Sequence, residues 1–203
     1  MTIALALVAG YLLGGVPTAD WLANRAGLDL RKAGSGNPGA NNALRIGGRR
    51  LGAKILLLEI AKGASAVLLG AVLAGNPGMV GAGIGAVNGN IHNPYRKLRG
   101  GQGLGITAGV LLGELPLVAT LGIVVIAVVL ITTRSSPVAA LTAVGSIMAG
   151  AATLPLGPWG IEARSWAAVT TVGIAVSLAP KQVAKLSGSA RPPLRARGSR
   201  DPR

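Results

Sequence analysis

Seven apolar runs dominate this chain of 203 residues, at roughly 2–19, 51–74, 77–93, 103–114, 116–133, 137–155 and 162–179. A helix needs about 20 such residues to cross a bilayer. The runs therefore predict an all-α, polytopic integral membrane protein with about seven transmembrane helices. Runs three and four are short and Gly-rich, so they are expected to be tilted, partial or broken. Gly113-Glu114-Leu115-Pro116 parts four from five, because Pro cannot continue a helix interior. Thr132 to Pro137 parts five from six, and Leu154-Pro155-Leu156-Gly157-Pro158 closes six. Mean hydropathy is +0.56 and 13% of residues are charged, where a soluble domain carries about 25%. The 32 glycines point to close helix packing through small residues. Met1 to Leu13 lacks a basic start and a clear cleavage site, and reads as the first span and not a removed signal.

Charge sets the orientation. The stretch 20–54 and the connections after runs three, five and seven hold eighteen of the twenty Lys and Arg; only Lys62 and Arg164 lie elsewhere. Positive-inside placement puts the N-terminus outside and the C-terminus in the cytoplasm. The net charge of +14 sits in polar connections and in the tail, with no basic helix face interleaved with aromatics. No nucleic-acid partner is expected; an anionic lipid surface or an anionic substrate accounts for the charge better. Residues 1–186 read as one membrane domain, and 187–203 as a disordered basic cytoplasmic tail. With no Cys and one His, disulfides, thiolate metal sites and multi-His metal sites are excluded, and no metal or cofactor is expected.

Two polar connections carry the candidate chemistry. Gly34-Ser35-Gly36-Asn37-Pro38-Gly39-Ala40-Asn41-Asn42-Ala43-Leu44-Arg45 lies between strongly apolar segments. Glycines let backbone N–H groups approach an anion closely. Ser35 and the Asn side chains add neutral donors, and Arg45 adds a permanent forked charge. Such a loop beside membrane spans suggests phosphate chemistry at the membrane surface; an inter-helix turn with an Asn cap is the plainer alternative. The second connection, Asn88 to Gly103, again combines glycines (Gly100, Gly101, Gly103), basic residues and amides (Asn90, Gln102), with the sole histidine, His92. It reads either as a second phosphate-contacting loop facing the first or as a basic turn. Within run two, Glu59 and Lys62 share a helix face and can pair. Intramembrane charges of this kind serve either a cavity or helix packing. Glu114 is expected at the outer interface, without a chemical role.

The pattern Gly34-Ser35-Gly36-Asn37-x-Gly39-Ala40-x-Asn42-x-x-Arg45, followed by Leu58-Glu59-x-x-Lys62-Gly63, resembles the bacterial acyl-phosphate:glycerol-3-phosphate acyltransferases. Gly10-Tyr11-Leu12-Leu13-Gly14 with Pro17, and Asp29-Leu30-Arg31-Lys32, fit as well, so the likeness covers roughly residues 8–115. It implies seven helices in the bacterial inner membrane and an active site at the cytoplasmic face. It also implies transfer of a fatty acyl group from acyl phosphate to the 1-hydroxyl of glycerol 3-phosphate, giving lysophosphatidate and phosphate. Ser35 and Arg45 are then the expected catalytic pair, clamping phosphate with fixed donors. Gly34, Gly36, Asn37, Gly39, Asn42, Gly100, Gly101, Gln102 and Gly103 are expected to bind substrate. Glu59, Lys62, Asn90, His92 and Arg134 are candidates for support. The acyl chain is expected in a groove between helices, open to lipid.

The chain departs from the family pattern at several positions. Asn90 stands where the family has His, and Gln102 where it has Lys. The run Ala179-Pro180-Lys181-Gln182-Val183-Ala184-Lys185-Leu186 stands where the family has His-x-x-Asn-x-x-Arg-Leu. Arg134 is followed by Ser135 and Ser136 at a different spacing. Two rivals follow: a non-catalytic or impaired relative that binds acyl phosphate or lipid phosphate and regulates a partner, and a small-solute transporter. The second of these lacks the internal repeat that transporters often show.

Overall fold

The computed structural model describes residues 2–133, 142, 145 and 163–187, and the described regular structure is helical. The elements are α1 (Ile3–Gly15), α2 (Thr18–Arg25), α3 (Ala40–Ile91), a 3-10 turn at Pro94–Arg96, α4 (Leu104–Glu114), α5 (Pro116–Thr133) and α6 (Ala163–Leu186). The sixth apolar run apart from 142 and 145, Arg134 and the basic tail beyond 187 lie outside the described residues. The first run, expected to be continuous over 2–19, divides into α1 and α2, because Pro17 has no N–H with which to carry the ladder across.

The long element α3 is three helical pieces. Gly48 (φ 80°, ψ 178°) and the pair Ala74 (φ −155°, ψ 26°) and Gly75 (φ 59°, ψ −146°) leave helical geometry. The positive φ at Gly48 and Gly75 is a conformation that a Cβ disfavours. At both breaks the chain folds back on itself. A Cβ on Gly70 would overlap the carbonyl oxygen of Gly78, and one on Gly52 would lie 2.8 Å from the Cβ of Leu44. In an unbroken helix, residues eight apart are separated by about 12 Å. The outcome is a short helix (40–47) at the start, then an antiparallel pair of longer helices (49–73 and 76–91). Pro77 falls in the first turn of the third piece, where its missing N–H costs nothing.

Small residues set the packing distances. α1 lies against residues 76–91 with backbones nearly touching. A Cβ on Gly10 would overlap the Ala82 oxygen, one on Gly14 the Ala86 oxygen, and one on Gly89 the Tyr11 oxygen. This is small-xxx-small packing, which lets van der Waals contact replace the hydrophobic drive that lipid removes. α4 docks on residues 49–73 in the same way, where a Gly109 Cβ would overlap the Ile60 oxygen. The main core joins Val67, Val87, Ile106, Val110, Ile174 and Leu178 from three elements. A second cluster of Ala19, Ala23, Leu30, Ala43, Leu51 and Ile55 lies beneath the first glycine loop.

Large apolar side chains also face outward: Leu57, Leu68 and Val72 on α3, Leu121, Val124 and Val128 on α5, and Val169, Val172 and Val176 on α6. Their helical spacing makes continuous apolar stripes suited to lipid. α4 has 11 residues, so it rises about 16 Å, half of a bilayer core, as the partial-helix expectation requires. Leu115 (φ −137°, ψ 68°) separates it from α5. Glu114 is buried within the protein, and its carboxyl group accepts a hydrogen bond from Thr170 at 3.3 Å. α6 continues past the expected end at 179 to Leu186.

Replacing Gly89 by Val should drive Cβ into the Tyr11 carbonyl and force α1 from its seat. Overpacking of this kind costs about 1–3 kcal/mol. Thermal unfolding of the detergent-purified protein should register that loss. Val72→Ala, at a position 85% exposed, should leave the transition nearly unchanged.

Candidate active site

The polar residues gather at one end of the helices, around the buried pair Glu59–Lys62. The Lys62 ammonium lies 2.8 Å from Glu59 Oε1, with both side chains nearly inaccessible. It also donates to the carbonyls of Gly14 (3.2 Å) and Val16 (2.9 Å). The Gly14 carbonyl lies in the last turn of α1, where Pro17 supplies no N–H, and the Val16 carbonyl also accepts from the Thr18 N–H at 2.9 Å. Glu59 in turn accepts from Thr18 Oγ1 at 3.2 Å and from the Asn90 amide. Both charges are thus paired and hydrogen-bonded, the condition under which an ion pair survives burial. The pair joins the end of α1, the start of α2 and two pieces of α3.

The first glycine loop is organised by Asn42. Its Nδ2 donates to the carbonyls of Leu30 (2.8 Å) and Ala33 (3.0 Å), and its Oδ1 accepts from the Ser35 N–H (2.8 Å). The motif alone assigns Asn42 to substrate. Its amide bonds to the loop backbone, so it also shapes the loop. Gly34 (φ 61°) and Gly36 (φ 69°) take left-handed turns on either side of Ser35. Gly39 is the N-cap residue of α3. Ser35 and Arg45 are exposed, and among the described residues neither side chain has a hydrogen bond or ion pair.

The second loop is packed on the first. Gly100 N–H donates to the Ile91 carbonyl at 3.1 Å and Gly101 N–H to the Asn90 carbonyl at 2.9 Å. A Cβ on Gly101 would lie 3.7 Å from the Pro38 oxygen and 4.0 Å from Asn37 Oδ1. Two loops far apart in sequence therefore meet at Asn37–Pro38 and Gly101. Gln102 is half-buried beside this contact, and Gly103 (φ 79°) opens α4. His92 is exposed; its carbonyl, not its ring, is engaged, by the Tyr11 hydroxyl at 2.7 Å. Arg134 lies outside the described residues.

Several residues at this end were not among the expected site residues, although Arg31 belongs to the stretch Asp29-Leu30-Arg31-Lys32 that fits the family pattern. Asp20 is buried, with Arg31 at 3.0 Å and Arg96 at 3.2 Å from the same oxygen. Arg31 also donates to the Arg99 carbonyl at 2.8 Å. Asn93 donates to the Gly15 carbonyl at 2.7 Å and accepts from the Tyr95 N–H at 3.0 Å. The bonds from Arg31 to Arg99 and from Asn93 to Gly15 cross 68 and 78 positions of sequence, which no local spacing announces. Beside Thr18 a cleft of about 450 Å³ opens, lined by Thr18, Trp21, Leu22, Asn24, Arg25 and Leu58. It is mostly apolar, and its polar end adjoins Glu59 through Thr18.

The profile of the family described as glycerol-3-phosphate acyltransferase matches residues 4–185. A glycerol-3-phosphate acyltransferase of Mesorhizobium japonicum is 43% identical over 142 residues, 70% of this chain and 72% of that protein. One from Nitrobacter winogradskyi is 40% identical over 157 residues, 77% and 76% of the two chains. One from Agrobacterium fabrum is 45% identical over a shorter stretch, 57% of each protein. Two crystal structures of PlsY (YgiH), an integral membrane glycerol 3-phosphate acyltransferase, share the fold. They are the glycerol 3-phosphate form (24% identity) and the lysophosphatidic acid form (25%). Each has a TM-score of 0.75 and covers 93% of this chain and 94% of its own.

Removing Lys62 alone, as Lys62→Met, should leave the Glu59 charge buried without a counterion. The expected loss is about 3–5 kcal/mol. The double variant Glu59→Gln/Lys62→Met should lose clearly less than the two single losses combined, as read by thermal unfolding in detergent. Strict additivity would mean that the pair is not coupled.

Proposed function

This chain belongs to the glycerol-3-phosphate acyltransferase family, and on that premise we propose that it acylates glycerol 3-phosphate from an acyl phosphate donor. The 1-hydroxyl oxygen attacks the acyl carbonyl carbon, an ester bond replaces the acyl–phosphate bond, the hydroxyl proton ends on the leaving phosphate, and lysophosphatidate and inorganic phosphate result. The observation that carries this reading is the contact of two glycine loops, Gly101 against Asn37–Pro38, with the Lys181 ammonium bound to the second of them. Both substrates bear phosphate, and the leaving phosphate carries charge that preset donors stabilise. Ser35 and Arg45 spend no side-chain hydrogen bond on the described part of their own chain, so both can meet a phosphate. Gly34, Gly36, Asn37 and Gly39 let the backbone approach it. The acyl chain runs in the cleft between Trp21 and Leu58. No residue is assigned as a metal ligand.

The protein sits in the bacterial inner membrane with the N-terminus outside and both loops in the cytoplasm. Residues 1–186 form the catalytic domain, and the basic tail lies on the anionic inner leaflet. This orientation brings the site to the compartment that holds soluble glycerol 3-phosphate. A reporter active only outside the membrane should stay silent when fused after Arg203. Activity there would place the loops on the wrong face.

Purified protein given acyl phosphate and glycerol 3-phosphate should release phosphate and form lysophosphatidate. Ser35→Ala should abolish turnover. Arg45→Lys should raise KM for glycerol 3-phosphate about tenfold or more, since Lys cannot reproduce the planar fork. Lys32→Ala should change it by less than about twofold, because the Lys32 side chain is 85% exposed and, among the described residues, pairs only with Asp29 at 3.3 Å. Equal effects of the two substitutions would reject Arg45 as the clamp.

A further inference from the structure

The second glycine loop contains no charge between Gly100 and Gly103, yet a cation is bound to it. The ammonium of Lys181, on α6, donates to the carbonyls of Gly101 (2.5 Å), Ile91 (3.2 Å) and Gly100 (3.4 Å). Its three donors are thus all turned to the loop and the end of α3. The next carbonyl upstream, of Arg99, is held by Arg31 at 2.8 Å. Two cations from distant parts of the chain therefore grip three successive carbonyls. Pro180 sits immediately before Lys181 and leaves a carbonyl of the preceding turn without its usual N–H partner, so α6 is weakened where it meets the loop.

The acids near the site are already engaged. Asp20 pairs with Arg31 and Arg96, Glu59 with Lys62, and Asp29 with Lys32. Lys181 has carbonyl dipoles but, among the described residues, no carboxylate to offset its charge. The peptide between Gly101 and Gln102 has its C=O fixed on Lys181, and planarity turns the Gln102 N–H to the opposite side. Among the described residues no group accepts from the N–H of Gln102 or of Gly103.

We infer that Lys181 is the positioning residue of the second loop: it holds the backbone from Gly100 to Gly103 in a phosphate-receiving form and supplies the positive charge that this stretch itself lacks. The inference rests on the acyltransferase reading for the identity of the ligand, glycerol 3-phosphate, but not for the geometry. Because Lys181 acts through carbonyls, it is not counted as a catalytic residue.

The test uses the full chain in detergent, with glycerol 3-phosphate as probe, in both a turnover assay and a direct binding measurement. Lys181→Gln keeps an N–H donor for the carbonyls and removes the charge. It should raise KM and Kd for glycerol 3-phosphate about tenfold, with kcat falling by a smaller factor. Lys181→Arg should stay within about threefold of the parent, since charge is preserved. Gln102→Lys placed in the Lys181→Gln background should recover at least half of the lost affinity on a logarithmic scale, because it returns a cation to the adjacent residue. A purely structural tie between α6 and the loop would not be repaired from position 102. Should Lys181→Gln fail to fold, Lys181→Arg and Gln102→Lys in the parent decide. Affinity lost in Lys181→Arg, or unchanged in Gln102→Lys, overturns the inference. Unchanged KM and Kd in a folded Lys181→Gln overturn it as well. A parent that binds glycerol 3-phosphate through Lys181 but shows no turnover sinks the enzyme reading alone. A parent that does not bind it sinks the inference.

Discussion

Glu59 and Lys62 form the interaction on which the other polar contacts depend. A carboxylate and an ammonium buried among apolar helices are tolerated only when each finds its counterion and its remaining hydrogen bonds. Lys62 meets this condition by donating to the carbonyls of Gly14 and Val16 at the end of α1. Glu59 meets it with Thr18 and Asn90. Satisfying one pair thereby ties the end of α1, the start of α2 and the third piece of α3 to the second piece of α3. Asn90 then presents its carbonyl to Gly101, so the second loop inherits its place from the same pair.

The packing that makes this possible is of another kind. Between α1 and residues 76–91 the contact is backbone on backbone, with glycine and alanine facing each other at successive turns. Such contact gives up side-chain burial and gains close van der Waals approach, the stronger term where lipid already solvates apolar side chains. It also leaves bulky Leu and Val residues pointing outward as the lipid-facing surface. The cleft beside Thr18 lies where this apolar exterior reaches the polar end, between Trp21 and Leu58.

Charge at the site is arranged in excess. Asp20 is shared by two arginines, and Lys181 is set on carbonyls. The backbone itself is therefore a main partner of the cations. Carbonyl dipoles hold a cation in place without cancelling its charge, so an anion can still be attracted to the loop.

Hydropathy and glycine placement, read along the chain, determined the helical membrane architecture, the breaks near Gly75 and Leu115, and the two polar loops. These are local properties: a run of apolar residues or a Gly-Ser-Gly turn acts over one or two helical turns, whatever the rest of the chain does. The motif around Ser35 and Arg45 was legible for the same reason. Tertiary structure decided the rest. It brought Gly101 against Pro38, put Asn42 to work inside its own loop, buried Glu114 against Thr170, and delivered Lys181 to a loop 80 residues away. Spacing in sequence could not supply these pairings. Which helix ends converge depends on how glycine faces dock between helices, and that docking is a property of surfaces in three dimensions.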